Sequence, residues 1–575
     1  MFKRRAKVAS QPDHDLSPDG LTDAPAATPR ETISAARPGV YVPALLFVVC
    51  LAAQLYLVFY KSFNWDEFLH FRQIYELNAG NMSFPFQTIH LRTLWWAPEV
   101  SPDLLAQMTA ARLFVWSLHL VTLAGIYGVA RHFTSKSNAF FAAFAYLTAG
   151  YVFTQSFSIR GDPFVTATLI VALFLMVRAQ LGWATAIGIG ALIGLAGMVS
   201  FKAAFFAPCF AGLAWLKYCE TPAKVQLFGK LAVLAIAALL TFAAVYLLHT
   251  SHLAQAAEPT GKASQLSIFA RWLTTDLAFA HYIGAAALLA PLFIFFLLIA
   301  PLAWKKAGIK PDAQLALAGF ILPLAALLFY RNTFPYFFVF ILAPVAVAIA
   351  PALGLMRDRY GSIFLSVLLA IPALALAVLE PRDVIGRQQA LIDYVHREWP
   401  EKTSYLDYSD MIADYPRVLK YLTSGNGIRI YHENGSAIVG REISRGNVPF
   451  IIANQRVIQA ALEGRPIPGT FLPADLAAME GNYVRQWGVL WREGHSVPAG
   501  SDTHAFRLRR GGTFVLDGDP LTINGKRVTH GTKVTLNEGR HTVGGGRSTS
   551  STLWRGGRLP ATPPNIPIDD VFTAY

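Results

Sequence analysis

The sequence predicts a polytopic α-helical membrane protein of about eleven transmembrane helices, followed by a soluble α/β region and a small β-module. Three observations carry this. Hydrophobic residues make up 54% of the 575 residues and charged residues only 15%, against roughly 25% charge in an ordinary soluble domain. Long apolar runs recur between residues 41 and 379, most of them long enough to cross a bilayer. After residue 380 they give way to short strand-like and helix-like runs. This pattern excludes a soluble enzyme, a coiled coil, a disordered chain and a disulfide scaffold. The three cysteines, Cys50, Cys209 and Cys219, all lie in or beside apolar runs. That argues against disulfides or a Cys-ligated zinc in the C-terminal region.

Residues 1–40 are polar and open with MFKRR; they read as a disordered cytoplasmic tail. The first span is expected at Tyr41–Tyr60. Further spans are expected at about 110–130, 138–155, 163–180, 183–200, 203–217, 227–248, 281–303, 313–329, 335–352 and 361–379. Residues 1–379 hold 26 Lys and Arg against 16 Asp and Glu. With the tail inside, 17 of those 26 basic residues fall on the cytoplasmic side, as the positive-inside rule requires. An odd number of spans then places everything after Glu380 outside, in the periplasm of a bacterium whose inner membrane holds the chain. The basic charge goes with membrane orientation and anionic lipid. No arginine stripe interleaved with aromatics points to nucleic acid.

Residues 380–510 alternate runs such as GIRIYH, VPFIIAN and VIQAALEG, the pattern of a periplasmic α/β domain. Residues 511–545 hold TFVLDGD, LTINGK, KVTLNEG and RHTVGG, short alternating strands with Gly and Asn turns. The tail 546–575 reads as irregular.

Four outward spots carry ionisable groups beside spans, where such groups default to function. The first outer loop, 61–109, begins with Phe63-Asn-Trp-Asp66-Glu67, followed by His70 and Arg72. Adjacent carboxylates there can activate a nucleophile or bind a cation; they also suit a helix start. His70 would lie one turn beyond Asp66. The second spot is Arg160-Gly-Asp162-Pro163, where Pro163 fits a first helical turn and Asp162 its N-cap. Arg160 would be an ion-pair partner. The third is Lys202, between the spans expected at 183–200 and 203–217, either snorkelling to the interface or anchoring a phosphate. The fourth is Arg331 with Pro335 and Tyr336, where Arg331 can grip a phosphate in a fork or end a helix. Arg112 and Arg271 add positive charge. Acids and bases on one membrane face suit a substrate that is part lipid, part phosphate and part polar group.

The order and content of these segments resemble the GT-C glycosyltransferases, nearest the protein O-mannosyltransferase and lipid A aminoarabinose transferase (ArnT-like) group. The segments are WDEFLHFRQIYELNAGN (65–81), AARLFVWSLHLVTLAGIYGVAR (110–131), SFSIRGDPFVTATLIVALFL (156–175), GLAGMVSFKAAFFAP (194–208) and RNTFPYFFVFILAPVAVA (331–348). Together they cover most of residues 40–380. One departure is Leu94-Trp-Trp-Ala-Pro98-Glu99 where the family often has Lys-Pro-Pro, which puts the family's donor or acceptor pocket in doubt here.

The resemblance implies a GT-C-like transmembrane domain at 41–379. It implies inverting transfer of a sugar from a polyprenyl-phosphate donor to an extracytoplasmic acceptor, such as lipopolysaccharide, lipid A or another envelope glycan. Under it, Asp66 is the base or acceptor-orienting group, and Glu67 and Asp162 orient the acceptor. Lys202 and Arg331, with Arg112 and Tyr336, hold the leaving phosphate; His70, Arg160 and Arg271 support. No metal ligand spacing is evident, and Asp66, Glu67 and Asp162 are the acids available to Mg²⁺ or Mn²⁺. Alternatives stay open: a protein O-mannosyltransferase, a lipid or sugar transporter or flippase, and a membrane-anchored binding protein.

Overall fold

The computed structural model describes residues 38–254, 273, 279–419, 425–500, 503–544 and 549–573. Most of the expected tail, and Arg271, lie outside the described residues. The chain is a polytopic α-helical membrane protein with a C-terminal β-sheet region.

Helices α1 (Pro38–Tyr60), α2 (Trp65–Asn78), α3 (Leu104–Phe133), α4 (Lys136–Leu147), α5 (Tyr151–Gln155), α6 (Gly161–Arg178), α7 (Trp183–Val199), α8 (Ala207–Glu220) and α9 (Lys224–Thr250) build the first half. Among the described residues, seven helices are long and apolar enough to span, or eight if the pair Ala280–Leu289 and Pro291–Lys306, bent by 88° at Pro291, is one span. The expectation of about eleven exceeds this because three runs make shorter helices. The run 138–155 breaks at Gly150, whose φ of +35° ends α4 and turns the chain into α5. The run 183–200 is the 17-residue α7. The run 203–217 starts as a 3₁₀ turn, Phe201–Phe206, before the 14-residue α8.

Burial sorts the helices. Phe337–Tyr360 is apolar all round, and 94% of its most apolar stretch is buried, so it is the centre of the bundle. In α9 that share is 0%, so α9 faces lipid. α9 is held by α7 at close range: a Cβ on Gly190 or Gly194 would sit 2.3 Å from the carbonyl oxygen of Leu234 or Ala238. Two glycines four apart thus let the backbones meet, the small-residue packing of membrane helices.

Beyond the bundle, helix Asp383–Glu398 leads into two sheets. Ten strands follow: β1 (Phe450–Ile452), β2 (Tyr483–Trp487), β3 (Leu490–Val497), β4 (Thr503–Leu508), β5 (Gly512–Asp517), β6 (Leu521–Ile523), β7 (Lys526–Val528), β8 (Lys533–Leu536), β9 (Gly539–Gly544) and β10 (Ser551–Arg555). One sheet runs β1-β3-β10-β5-β8, with β2 also on β3; the other runs β4-β9-β6-β7. The strands of 511–545 are therefore shared between two sheets, each completed from outside that segment. They close one core, with Val497, Phe506, Leu516, Val543 and Leu553 inside. Asn524 and Gly525, both at positive φ, turn β6 into β7.

The C-terminal region is bonded to the loop 61–109. Gln388 donates to the Phe63 carbonyl (2.7 Å) and accepts from the Phe63 N–H (3.0 Å). Arg72 on α2 donates to the carbonyls of Ala413 (3.0 Å) and Tyr415 (2.7 Å). Lys61 pairs with Glu380 at 2.8 Å. The segment YLDYSDMIADYP (405–416) thus rests on α2.

Candidate active site

α2 begins with a capping box. The Asn64 side chain accepts from the Glu67 N–H (3.1 Å), and the Asn64 N–H donates to Glu67 Oε2 (3.2 Å). This fixes Asp66 and Glu67 in one turn with different partners. Asp66 pairs with Arg160, and its side chain keeps 23% exposure. Glu67 is fully buried against Arg112, at 2.7 Å from Nε and 2.5 Å from Nη2.

Arg112 spends its five N–H donors on Glu67 and on the carbonyls of Val58, Lys61 and Ser62. It has none left for a phosphate, and Glu67 has no face towards an acceptor. Arg112, expected at the donor phosphate, and Glu67, expected at the acceptor, are thus bonded to each other here. A lone buried Arg needs an acid, and Glu67 supplies it. Glu67 Oε1 also accepts from the Ile159 N–H at 3.2 Å, so the pair positions the loop that presents Arg160.

That loop opens α6. The N-cap position is Arg160, not Asp162, which lies inside the first turn. Asp162 is buried and pairs with Lys202, while Arg160 Nε is 3.7 Å from its other oxygen. Lys202 stands in the 3₁₀ turn after Ser200, whose hydroxyl accepts from the Lys202 N–H (3.4 Å). Its side chain is 8% exposed, so it turns inward and does not snorkel. The Arg160 guanidinium carbon is 3.3 Å from the centre of the Tyr336 ring, and Lys202 Nζ is 5.6 Å from the same centre.

The structure thus brings together Asp66, Arg160, Asp162, Lys202 and Tyr336 as a chain of alternating charge. Arg331 is exposed. It follows Tyr330, whose ring packs 5.6 Å from Phe205 and 4.8 Å from Phe337, so its backbone flanks the Lys202 turn. His70 is bonded to Gln73 (3.2 Å) and faces His90 across 5.9 Å. Burial, and next the Arg160 charge, hold the His70 imidazole down to about 3, so it stays neutral at physiological pH.

Two features were not anticipated, and Arg160, expected as the ion-pair partner of Asp162, also pairs with Asp66. His90, 3% exposed, packs on Phe164 (5.1 Å) and its Cε1 is 3.4 Å from where a Cβ on Gly161 would sit. Tyr408 reaches in from the C-terminal region: burial, and then the Asp66 charge, push its phenol up. Only contacts between distant segments reveal these, and no local spacing signals them.

Against the Phe201–Phe206 turn lies an apolar cavity of about 410 Å³. Gly197, Phe201, Ala203, Ala204 and Phe242 line it, while the Lys202 side chain turns to Asp162. Among the described residues, no group of three or more His, Cys, Asp or Glu is placed to hold a metal. Asp66 and Asp162 face cations, and Glu67 faces Arg112.

No protein-family profile and no curated protein sequence matches this chain. Solved structures do. ArnT from Cupriavidus metallidurans in the apo state aligns over 73% of this chain and 94% of its own, with a TM-score of 0.50 at 13% identity. The same protein bound to undecaprenyl phosphate aligns over 71% and 81%, with a TM-score of 0.42 at 14% identity. The oligosaccharyltransferase of Archaeoglobus fulgidus in the apo form aligns over 87% and 75%, with a TM-score of 0.45 at 14% identity. The first of these carries the fold assignment: the chain has a GT-C fold.

Proposed function

We propose that this chain is an inverting membrane glycosyltransferase. It moves a sugar from a polyprenyl-phosphate donor to an extracytoplasmic acceptor, with lipopolysaccharide, lipid A or another envelope glycan as the acceptor class. The observation that carries this is the turn Phe201–Phe206, which borders two different environments: Lys202 points into one and its neighbours line the other. One side is the charged chain Asp66–Arg160–Asp162–Lys202; the other is the apolar cavity lined by Phe201, Ala203 and Ala204. A phosphate joined to a prenyl tail has the same division.

In this reading the tail enters the apolar cavity and the phosphate meets Lys202, with Arg331 adding charge at the exposed edge. Each cation of the chain already faces an acid. A bound phosphate competes with Asp162 for Lys202 and with Asp66 for Arg160. Drawing Arg160 away leaves Asp66 ready to take the proton of an acceptor hydroxyl as its oxygen bonds to the anomeric carbon. The sugar–phosphate C–O bond breaks, and Lys202 and Arg160 stabilise the departing phosphate, whose charge rises. Tyr336 holds Arg160 by its ring face. A phosphate acceptor would need positioning and no base.

The membrane unit 41–379 is the catalytic unit in this reading. Residues 380–575 lie in the periplasm of a bacterium whose inner membrane holds the bundle. The assay is transfer by purified protein in nanodiscs supplied with polyprenyl-phosphate sugars and delipidated or intact envelope glycans. Label moving to a glycan supports the reading. Label moving to a Ser/Thr peptide supports protein O-mannosyl transfer instead. Donor crossing the bilayer unaltered supports a flippase.

A further inference from the structure

The 3₁₀ turn Ile89–Leu94 sets one polar side chain apart from its neighbours. Just before the turn, Thr88 donates to the Phe84 carbonyl (2.9 Å), and its hydroxyl lies 2.8 Å from His249 Nε2. Within the turn, Arg92 Nε donates to His249 Nδ1 (2.9 Å). The His249 proton is therefore on Nε2 and goes to Thr88, so both of its nitrogens are used. His90 lies between Thr88 and Arg92 in sequence and is 3% exposed. Among the described residues, neither of its ring nitrogens has a hydrogen-bond partner. Buried polar atoms are nearly always paired, and one left unpaired costs stability. The packing of the fold does not use these two nitrogens.

The ring's surroundings say what could use them. His70 and Phe164 pack on it, with centres 5.9 Å and 5.1 Å away. On the α6 side, Cε1 and Nε2 lie 3.4 Å and 3.7 Å from where a Cβ on Gly161 would sit. Residue 161 has no side chain, so the Nε2 edge meets the head of α6 directly. Gly161 separates Arg160, which pairs with Asp66, from Asp162, which pairs with Lys202. Burial, followed by the His70 and Arg160 charges, holds the His90 imidazole well below its ordinary value. A neutral ring donates from one nitrogen and accepts at the other. A hydroxyl, which also does both, can answer at either.

We propose that His90 binds a hydroxyl of the sugar being transferred, and so is a specificity-determining residue of the donor site. The inference rests on the transferase reading, in which the sugar lies between the phosphate at Lys202 and the base Asp66. There the phosphate draws Arg160 off Asp66, and that movement opens the Gly161 edge of the ring to the sugar. The test is binding to the full-length protein in nanodiscs, carrying Asp66→Asn so that the donor stays uncleaved. The probes are bare undecaprenyl phosphate and undecaprenyl phosphate bearing glucose, galactose or mannose. At least one sugar is expected to tighten binding tenfold or more over the bare lipid. Adding His90→Leu is expected to abolish that gain and to leave the bare lipid's affinity unchanged. It should not lower the melting temperature, because it removes an unpaired polar group. His90→Gln, whose amide also donates and accepts, should keep part of the gain. A gain retained in His90→Leu overturns the proposal, as does a lowered melting temperature with the gain retained, the mark of a structural histidine. If the bare lipid binds and no sugar adds affinity, the proposal falls and the transferase reading stands. If the bare lipid does not bind, both fall.

Discussion

Asp162 and Lys202, forty residues apart in sequence, form a buried ion pair that ties the start of α6 to the turn before α8. Removing one partner leaves the other charge buried and alone, at a cost of about 3–5 kcal/mol. Lys202→Ala should therefore lower the melting temperature sharply. Replacing both by apolar residues, Asp162→Leu with Lys202→Met, should restore most of the stability but no transfer. Thermal unfolding and transfer assays on the two variants separate structure from chemistry.

Glu67 and Arg112 make a second buried pair, and it holds the loop carrying Arg160 through the Ile159 N–H. Arg112→Lys should fail to rescue Arg112→Ala, because an ammonium cannot reproduce the five-donor fork. Both variants should lose several kcal/mol, on the order of the 3–5 expected for a broken buried pair. Yield and thermal unfolding check this.

The apolar cavity against the Phe201–Phe206 turn should hold the tail of a polyprenyl-phosphate donor. Ala204 is exposed and lines it, so Ala204→Trp fills the space while leaving the core alone. Binding of polyprenyl phosphate should weaken at least tenfold, roughly 1.4 kcal/mol. The melting temperature without lipid should stay unchanged.

The C-terminal region carries a pH-dependent acid. Asp407 accepts from the N–H groups of Asp410 (2.9 Å) and Met411 (2.8 Å) and from Asn454 (3.1 Å). Burial, and then the nearby Asp410 charge, push its carboxyl up to about 7. A folded value above the unfolded one, about 3.9, means the stabilisation is complete below that unfolded value and lost as pH rises through about 7. The wild type should therefore melt lower at pH 8 than at pH 5 by more than Asp407→Asn does. The slope against pH, measured by differential scanning fluorimetry, is the readout.

The membrane class was legible because composition is averaged over hundreds of residues. Asp66, Asp162 and Lys202 were legible because ionisable groups at apolar boundaries are costly enough to stand out. The roles of Glu67 and Arg112 were not, since adjacent acids look alike until the fold sends them to different partners. The helix breaks at Gly150 and at the Phe201–Phe206 turn were not legible, because hydropathy stays high there although the helix stops. The 511–545 strands were visible by alternation. Their division between two sheets depends on Thr503–Leu508 and Ser551–Arg555, which lie outside that segment.

The ion pair of Asp66 with Arg160 makes the account most directly testable. The measurement is the single-turnover rate of sugar transfer from polyprenyl-phosphate sugar to a hydroxyl acceptor by wild type and Asp66→Asn, at matched folding. The account predicts a fall of about 10²–10⁴-fold, the usual contribution of a general base, with donor binding kept. An undiminished rate in Asp66→Asn would contradict it.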